Sequence, residues 1–139
     1  MRRALLGLAA AVATLAATAV PAGAQAPPGD WTLVRQDGYR HYACKVKAKD
    51  DWRIKTATRY NNKRLESDIG VYAALARGSN RNVVAERTSN NRENGYIRTL
   101  LRGAELSDRL WMQAAAYGPA EPWSDGFPVR KLVRCASVA

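Results

Sequence analysis

His41 is the sole histidine of the sequence, so any imidazole chemistry would have to run through it. A nucleophile–base–acid triad would also need an activated serine, and the sequence holds no Gly-x-Ser-x-Gly elbow. His41 shares its alternate positions with Lys45, Lys47 and Lys49, which is the pattern of an exposed surface histidine. Cys44 and Cys135 are the only cysteines, and together with one histidine they fall short of a zinc ligand set. A histidine-free hydrolase would need two converging carboxylates, as glycosidases do. Asp50, Asp51, Asp68, Glu93, Glu105, Asp108, Glu121 and Asp125 are instead scattered through turn segments, where acids serve turn chemistry. No phosphate-cradling glycine loop or calcium loop is present either. These residues argue against an enzyme and imply no cofactor and no metal.

The cations form a more suggestive pattern. Residues 39–49 alternate, with Tyr42, Cys44, Val46 and Ala48 on one face and His41, Lys45, Lys47 and Lys49 on the other. Residues 52–60 alternate again, with Ile54, Thr56, Thr58 and Tyr60 set against Arg53, Lys55 and Arg59. If the two strands pair with their apolar residues together, Ala48 faces Ile54, Val46 faces Thr56, Cys44 faces Thr58 and Tyr42 faces Tyr60. Lys45, Lys47, Lys49, Arg53, Lys55 and Arg59 then share one outer face, with Lys49 opposite Arg53 and Lys47 opposite Lys55. Like charges directly opposite are destabilising, and an anionic partner would relieve them while releasing counterions. The competing expectation is a solvated face whose long side chains splay apart. Aromatic interleaving for nucleic-acid stacking is thin, because Tyr39, Tyr42, Trp52 and Tyr60 are mostly in the inward phase. Trp123 and Phe127 sit in a Pro/Gly-rich loop, where they form either an exposed contact platform or a plug over the end of the fold. The plug is favoured, because large aromatics go where burial is available.

The elements needed to position these residues are short strands. Beside the two above, residues 31–34, 69–77, 83–88, 96–102, 106–117 and 129–136 read as strands, with turn signals between them. Two segments stay ambiguous: 69–77 also fits a short helix capped by Asp68, and 107–117 a helix capped by Ser107. The expected fold is all-β, a small antiparallel β-sandwich or barrel of about seven to eight strands. Its last strand would carry Val133 and Cys135 in phase, so that the Cys44–Cys135 disulfide lies inside.

The compartment follows from residues 1–24, which read as a secretory signal peptide. Arg2 and Arg3 form its positive end, Ala4 to Val20 is uncharged, and Ala22-Gly23-Ala24 supplies the small residues of a cleavage site. Cleavage would leave residues 25–139 of the 139, a single domain, with no later run long enough to span a membrane. The formal net charge of +10 would fall to about +8, since Lys+Arg drops from 22 to 20 against 12 Asp+Glu. Export also permits Cys44 and Cys135 to pair, closing a loop worth roughly 4 kcal/mol.

These observations together predict a secreted, disulfide-linked, non-enzymatic binding module. The partner class is an anionic cell-wall, membrane-surface or nucleic-acid polymer. Two alternatives stand beside it: a protein-binding or inhibitor scaffold that meets an extracellular protein through its long polar loops, and a small carboxylate-dependent hydrolase.

Overall fold

Among the residues that the computed structural model describes, 30–36, 38–60, 70–115 and 126–136, nine strands form two packed antiparallel sheets and Val129–Lys131 forms a 3-10 turn. The signal segment 1–24, the loop 61–68 and Trp123 lie outside the described residues. The strands are β1 Thr32–Gln36, β2 Tyr39–Lys47, β3 Trp52–Tyr60, β4 Gly70–Arg77, β5 Asn82–Ser89, β6 Arg92–Glu93, β7 Tyr96–Ala104, β8 Arg109–Ala115 and β9 Phe127–Pro128. One sheet runs β1-β2-β3-β7-β6 and the other β5-β4-β8-β9. The fold is thus the expected small antiparallel β-sandwich, and the two ambiguous segments supply strands β4 and β8 rather than helices. β4 is buried along both faces, which accounts for its continuous apolar run. Turns fall where the backbone needs a left-handed residue, at Gly78 with φ 73° and at Gly95 with φ 80°.

The core lies between the sheets. Ala43, Ile54, Ile97 and Leu101 face Val71, Ala73, Leu75, Leu110 and Met112 across it. Val129 and Leu132 close one end, with Phe127 packed against the cluster. Phe127 therefore folds back, as burial favours. Residues 129–136 are not the expected last strand. Val129–Lys131 forms a 3-10 turn, and the segment beyond it meets β2 through one parallel bridge, Lys45 to Arg134. There it continues the sheet past the end of β1, with Lys45 N–H donating to the Val133 carbonyl at 2.9 Å and Cys135 N–H to that of Lys45 at 3.0 Å.

The β2–β3 register differs from the expected one, and the difference inverts a face. Lys47 pairs with Trp52, Lys45 with Ile54, Ala43 with Thr56 and His41 with Thr58. The ladder stops at Lys47, and Ala48 N–H closes the turn onto the Asp51 carbonyl at 2.9 Å. The shift is an odd number of residues, so every side chain of β2 moves to the other face relative to β3. His41 is wholly buried, not exposed, and Nδ1 lies 2.9 Å from Thr58 Oγ1. Thr56 and Thr99 hydroxyls bond to each other beside it. The inner face of this sheet is therefore partly polar, and its buried hydroxyls are satisfied by one another. Cys44 alternates with the core residue Ala43 and stands opposite Lys55, so the disulfide to Cys135 lies on the outer face.

On the second sheet, Tyr72 donates its hydroxyl to Glu86 Oε2 at 2.8 Å. Burial first, then that bond and the carboxylate charge, push its phenol up to about 12. The unfolded value is about 10, so the neutral phenol stabilises the fold fully below pH 10 and loses that contribution as pH rises through 12. In an alkaline absorbance titration one tyrosine is expected to ionise about two pH units after the exposed ones. Tyr72→Phe should remove that late component, and its survival would assign the component to another residue.

Candidate functional site

The six cations singled out by sequence divide between the two faces of the five-stranded sheet. Lys45 and Lys47 take the inner side of β2, and Lys49 follows in the turn. Arg53, Lys55 and Arg59 take the outer side of β3. Lys45 is 8% exposed, and its Nζ donates to the carbonyls of Arg130 at 2.6 Å and Val129 at 3.2 Å. Burial pushes this ammonium below the usual lysine value, and the charge of Arg134 adds to that. Lys45, Lys47 and Arg134 stand 5.5, 5.2 and 5.6 Å from the Trp52 ring centroid. The indole face thus shares three cations. Lys45 holds the C-terminal segment onto β2 and is itself buried, while Lys47 and Arg134 are exposed beside the indole.

The outer face gathers a different set. Alternation from the observed registers places Arg40 on β2, Arg53, Lys55 and Arg59 on β3, and Arg98 and Arg102 on β7 there. Arg40, Arg98 and Arg102 were not singled out by sequence. The face depends on which strands neighbour each other, and β7 is joined to β3 across three intervening strands in the chain. The strands supply a single carboxylate to this face among the described residues, Glu93, which lies 3.7 Å from Arg98 Nε.

Arg98 is held from two sides. Its guanidinium carbon stands 5.6 Å from the Tyr96 ring centroid and 5.7 Å from that of Trp31. Trp31 precedes edge strand β1, which β2 and β3 separate from β7. At about 4.8 Å per strand, Trp31 and Arg98 meet only by reaching across the face toward each other. Cys44 and Ala57 on that face accordingly have no exposed surface.

Arg40 and Arg59 stand directly opposite each other across β2 and β3. The Nε of each is buried without a hydrogen-bond partner. A buried donor left unmade costs about 1–3 kcal/mol, and two facing guanidinium groups add repulsion. Both side chains are partly exposed, so one oxyanion at this face could meet both guanidinium groups, which are suited to pairing with carboxylate or phosphate.

Four of the seven described carboxylates are engaged separately: Asp108 and Glu105 with Arg77, Glu86 with Tyr72, and Glu93 with Arg98. Among the described residues no three potential metal ligands cluster, and no helix is long and apolar enough to cross a membrane. Fold and site together define a small disulfide-linked β-sandwich with one cationic sheet face. No family model, curated protein or solved structure matches the chain. The Cys44–Cys135 disulfide and the absence of such a helix among the described residues are compatible with an extracellular protein.

Proposed function

We propose that this protein is a secreted, non-enzymatic binding module that holds an extended anionic extracellular polymer against the outer face of its five-stranded sheet. The Arg40–Arg59 pair carries this reading: two facing, partly exposed cations whose Nε–H groups find no acceptor among the described residues. Export rests on the signal-like residues 1–24 and on the Cys44–Cys135 bond. The ligand is a polymer because the cations are spread out. Arg59 and Arg53 are six residues apart on one strand, about 20 Å, so a small ion cannot touch both ends. Recognition is by charge, since Trp31 and Tyr96 are already engaged by Arg98 and base stacking gains little there.

The test is binding of full-length protein to fluorescent heparin across a salt series. With about four to five cations engaged, log K should fall against log salt with a slope of about −3 to −4. Arg40→Gln/Arg59→Gln should make that slope shallower by about 1.5 and weaken binding at least tenfold. Arg130→Gln/Lys131→Gln removes the same charge from exposed positions elsewhere and should change little. Equal losses in the two double variants, or elution from heparin at or below physiological salt, would overturn the proposal.

A further inference from the structure

β5 and β7 are neighbours that do not pair. β5 is the edge of one sheet, and β6 covers β7 only at Ile97 and Tyr96. Beyond β6, a groove of about 310 Å³ runs along the seam. Its lining includes Arg87, Arg98 and Arg102 together with the hydroxyl-bearing Thr88, Ser89 and Thr99. Cα atoms of β5 and β7 approach within 8 Å. An inserted β-strand would need its neighbours about 9.5 Å apart, so an extended peptide does not fit. The volume sits at the low end of the range for small-molecule sites.

We infer that this seam groove is a binding subsite for a phosphate monoester group. The inference rests on the polyanion reading above and deepens it, by adding one specific group to a charge-based contact. Arg87 lines the groove from β5 and Arg102 from β7, while the Arg98 guanidinium turns across the sheet face to Trp31 and pairs with Glu93. The two positive charges of Arg87 and Arg102 match the −1.5 to −2 of a phosphate monoester at neutral pH. Arg87 and Arg102 make no ion pair among the described residues, so their charge is available to a ligand. A guanidinium on each wall, with the Thr88 and Ser89 hydroxyls on the β5 wall, suits a tetrahedral anion with three free oxygens better than a planar carboxylate. Glu86 lines the adjoining recess, and Tyr72 donates to its carboxylate.

Arg87 separates this subsite from the sheet face, because it belongs to β5 of the other sheet. Full-length protein would be titrated by calorimetry with methyl phosphate at pH 8, where the probe is a dianion, and with methyl sulfate, a monoanion. Methyl phosphate should bind at least tenfold more tightly. Arg87→Gln should weaken methyl phosphate at least fivefold and leave the heparin salt slope unchanged. Arg40→Gln/Arg59→Gln should do the reverse. No methyl phosphate binding at millimolar concentration, equal affinity for both probes, or indifference to Arg87→Gln would each overturn the subsite and leave the polymer reading standing. Loss of methyl phosphate binding in Arg40→Gln/Arg59→Gln as large as in Arg87→Gln would move the anion onto the sheet face and also overturn it. Failure of heparin binding with methyl phosphate binding intact would instead remove the polymer reading alone.

Discussion

Replacing Cys44 and Cys135 together with alanine is expected to lower the unfolding free energy by about 4 kcal/mol and the melting temperature by roughly 15 °C. The bond joins residues separated by 91 positions, so it removes much of the freedom of the unfolded chain. Its native surroundings make the loss a local one as well. The C-terminal segment is tied to β2 by two backbone hydrogen bonds at Lys45, and the disulfide fastens the next residue of each strand. Without it, exchange at the Cys135 amide should quicken before global unfolding, because ends of chains held by few bonds open first. The unfolding slope in urea should also rise, since an unlinked chain exposes more surface. Equilibrium urea unfolding of both forms measures these quantities. A loss below about 1 kcal/mol, with no change in slope, would mean that the unlinked denatured chain is as compact as the linked one.

Strand existence and type were legible over most of this sequence because alternation and turn residues are local signals, but residues 129–136, read as a strand, form a 3-10 turn and one isolated bridge. β3 shows how far that reaches. Its inner Ile54, Thr56 and Thr58 and outer Arg53, Lys55 and Arg59 fall where the period-2 pattern put them. β2 shows where it stops. Tyr42, Cys44 and Val46 look like a core face, but the core side is His41, Ala43 and Lys45. What buries Lys45 is a pair of carbonyls 84 and 85 residues away. What satisfies His41 is a hydroxyl on β3, and what covers Cys44 is a disulfide beside a Trp31–Arg98 contact. None of these partners is visible in a window of ten residues. The register error followed directly, since the strands were aligned on the wrong apolar row.

The same limit applies to the site. Arg53, Lys55 and Arg59 were found because they lie on a regularly alternating strand. Arg40 was missed because the inverted face left it without a role, and Arg98 and Arg102 because the neighbour of β3 is β7 and not the next strand in sequence. A cationic face is a property of sheet order, and sheet order is set by packing across the core. The signal that could have found Arg40 was its position two residues before Tyr42 on the same alternating segment. The proposed anion contact follows from composition before geometry, and the geometry changes which residues would carry it.

Arg77→Ala is expected to destabilise the fold by about 2–3 kcal/mol, more than loss of any exposed ion pair would. Asp108 is wholly buried, and its oxygens accept from Arg77 Nε at 2.8 Å, Arg77 Nη2 at 3.0 Å and the Glu105 amide at 2.8 Å. Arg77 Nη2 also donates to the Gly103 carbonyl at 3.1 Å, where φ of 72° lets the chain leave β7. One guanidinium thus joins the end of β4 to the turn between β7 and β8. The Asp108 carbonyl accepts from Val129 N–H at 3.0 Å, which extends the same junction to the 3-10 turn. Removing Arg77 strands a buried carboxylate on one donor. A fully buried pair would lose 3–5 kcal/mol, but the Arg77 side chain is 37% exposed, so water replaces part of what is lost. Asp108→Asn removes the charge and keeps the shape, and should cost less than Arg77→Ala. A double-mutant cycle on urea unfolding should return a coupling of 1–2 kcal/mol, since each residue is the other's main partner. Additive losses would show that the two act separately and that the junction is held by its backbone bonds alone.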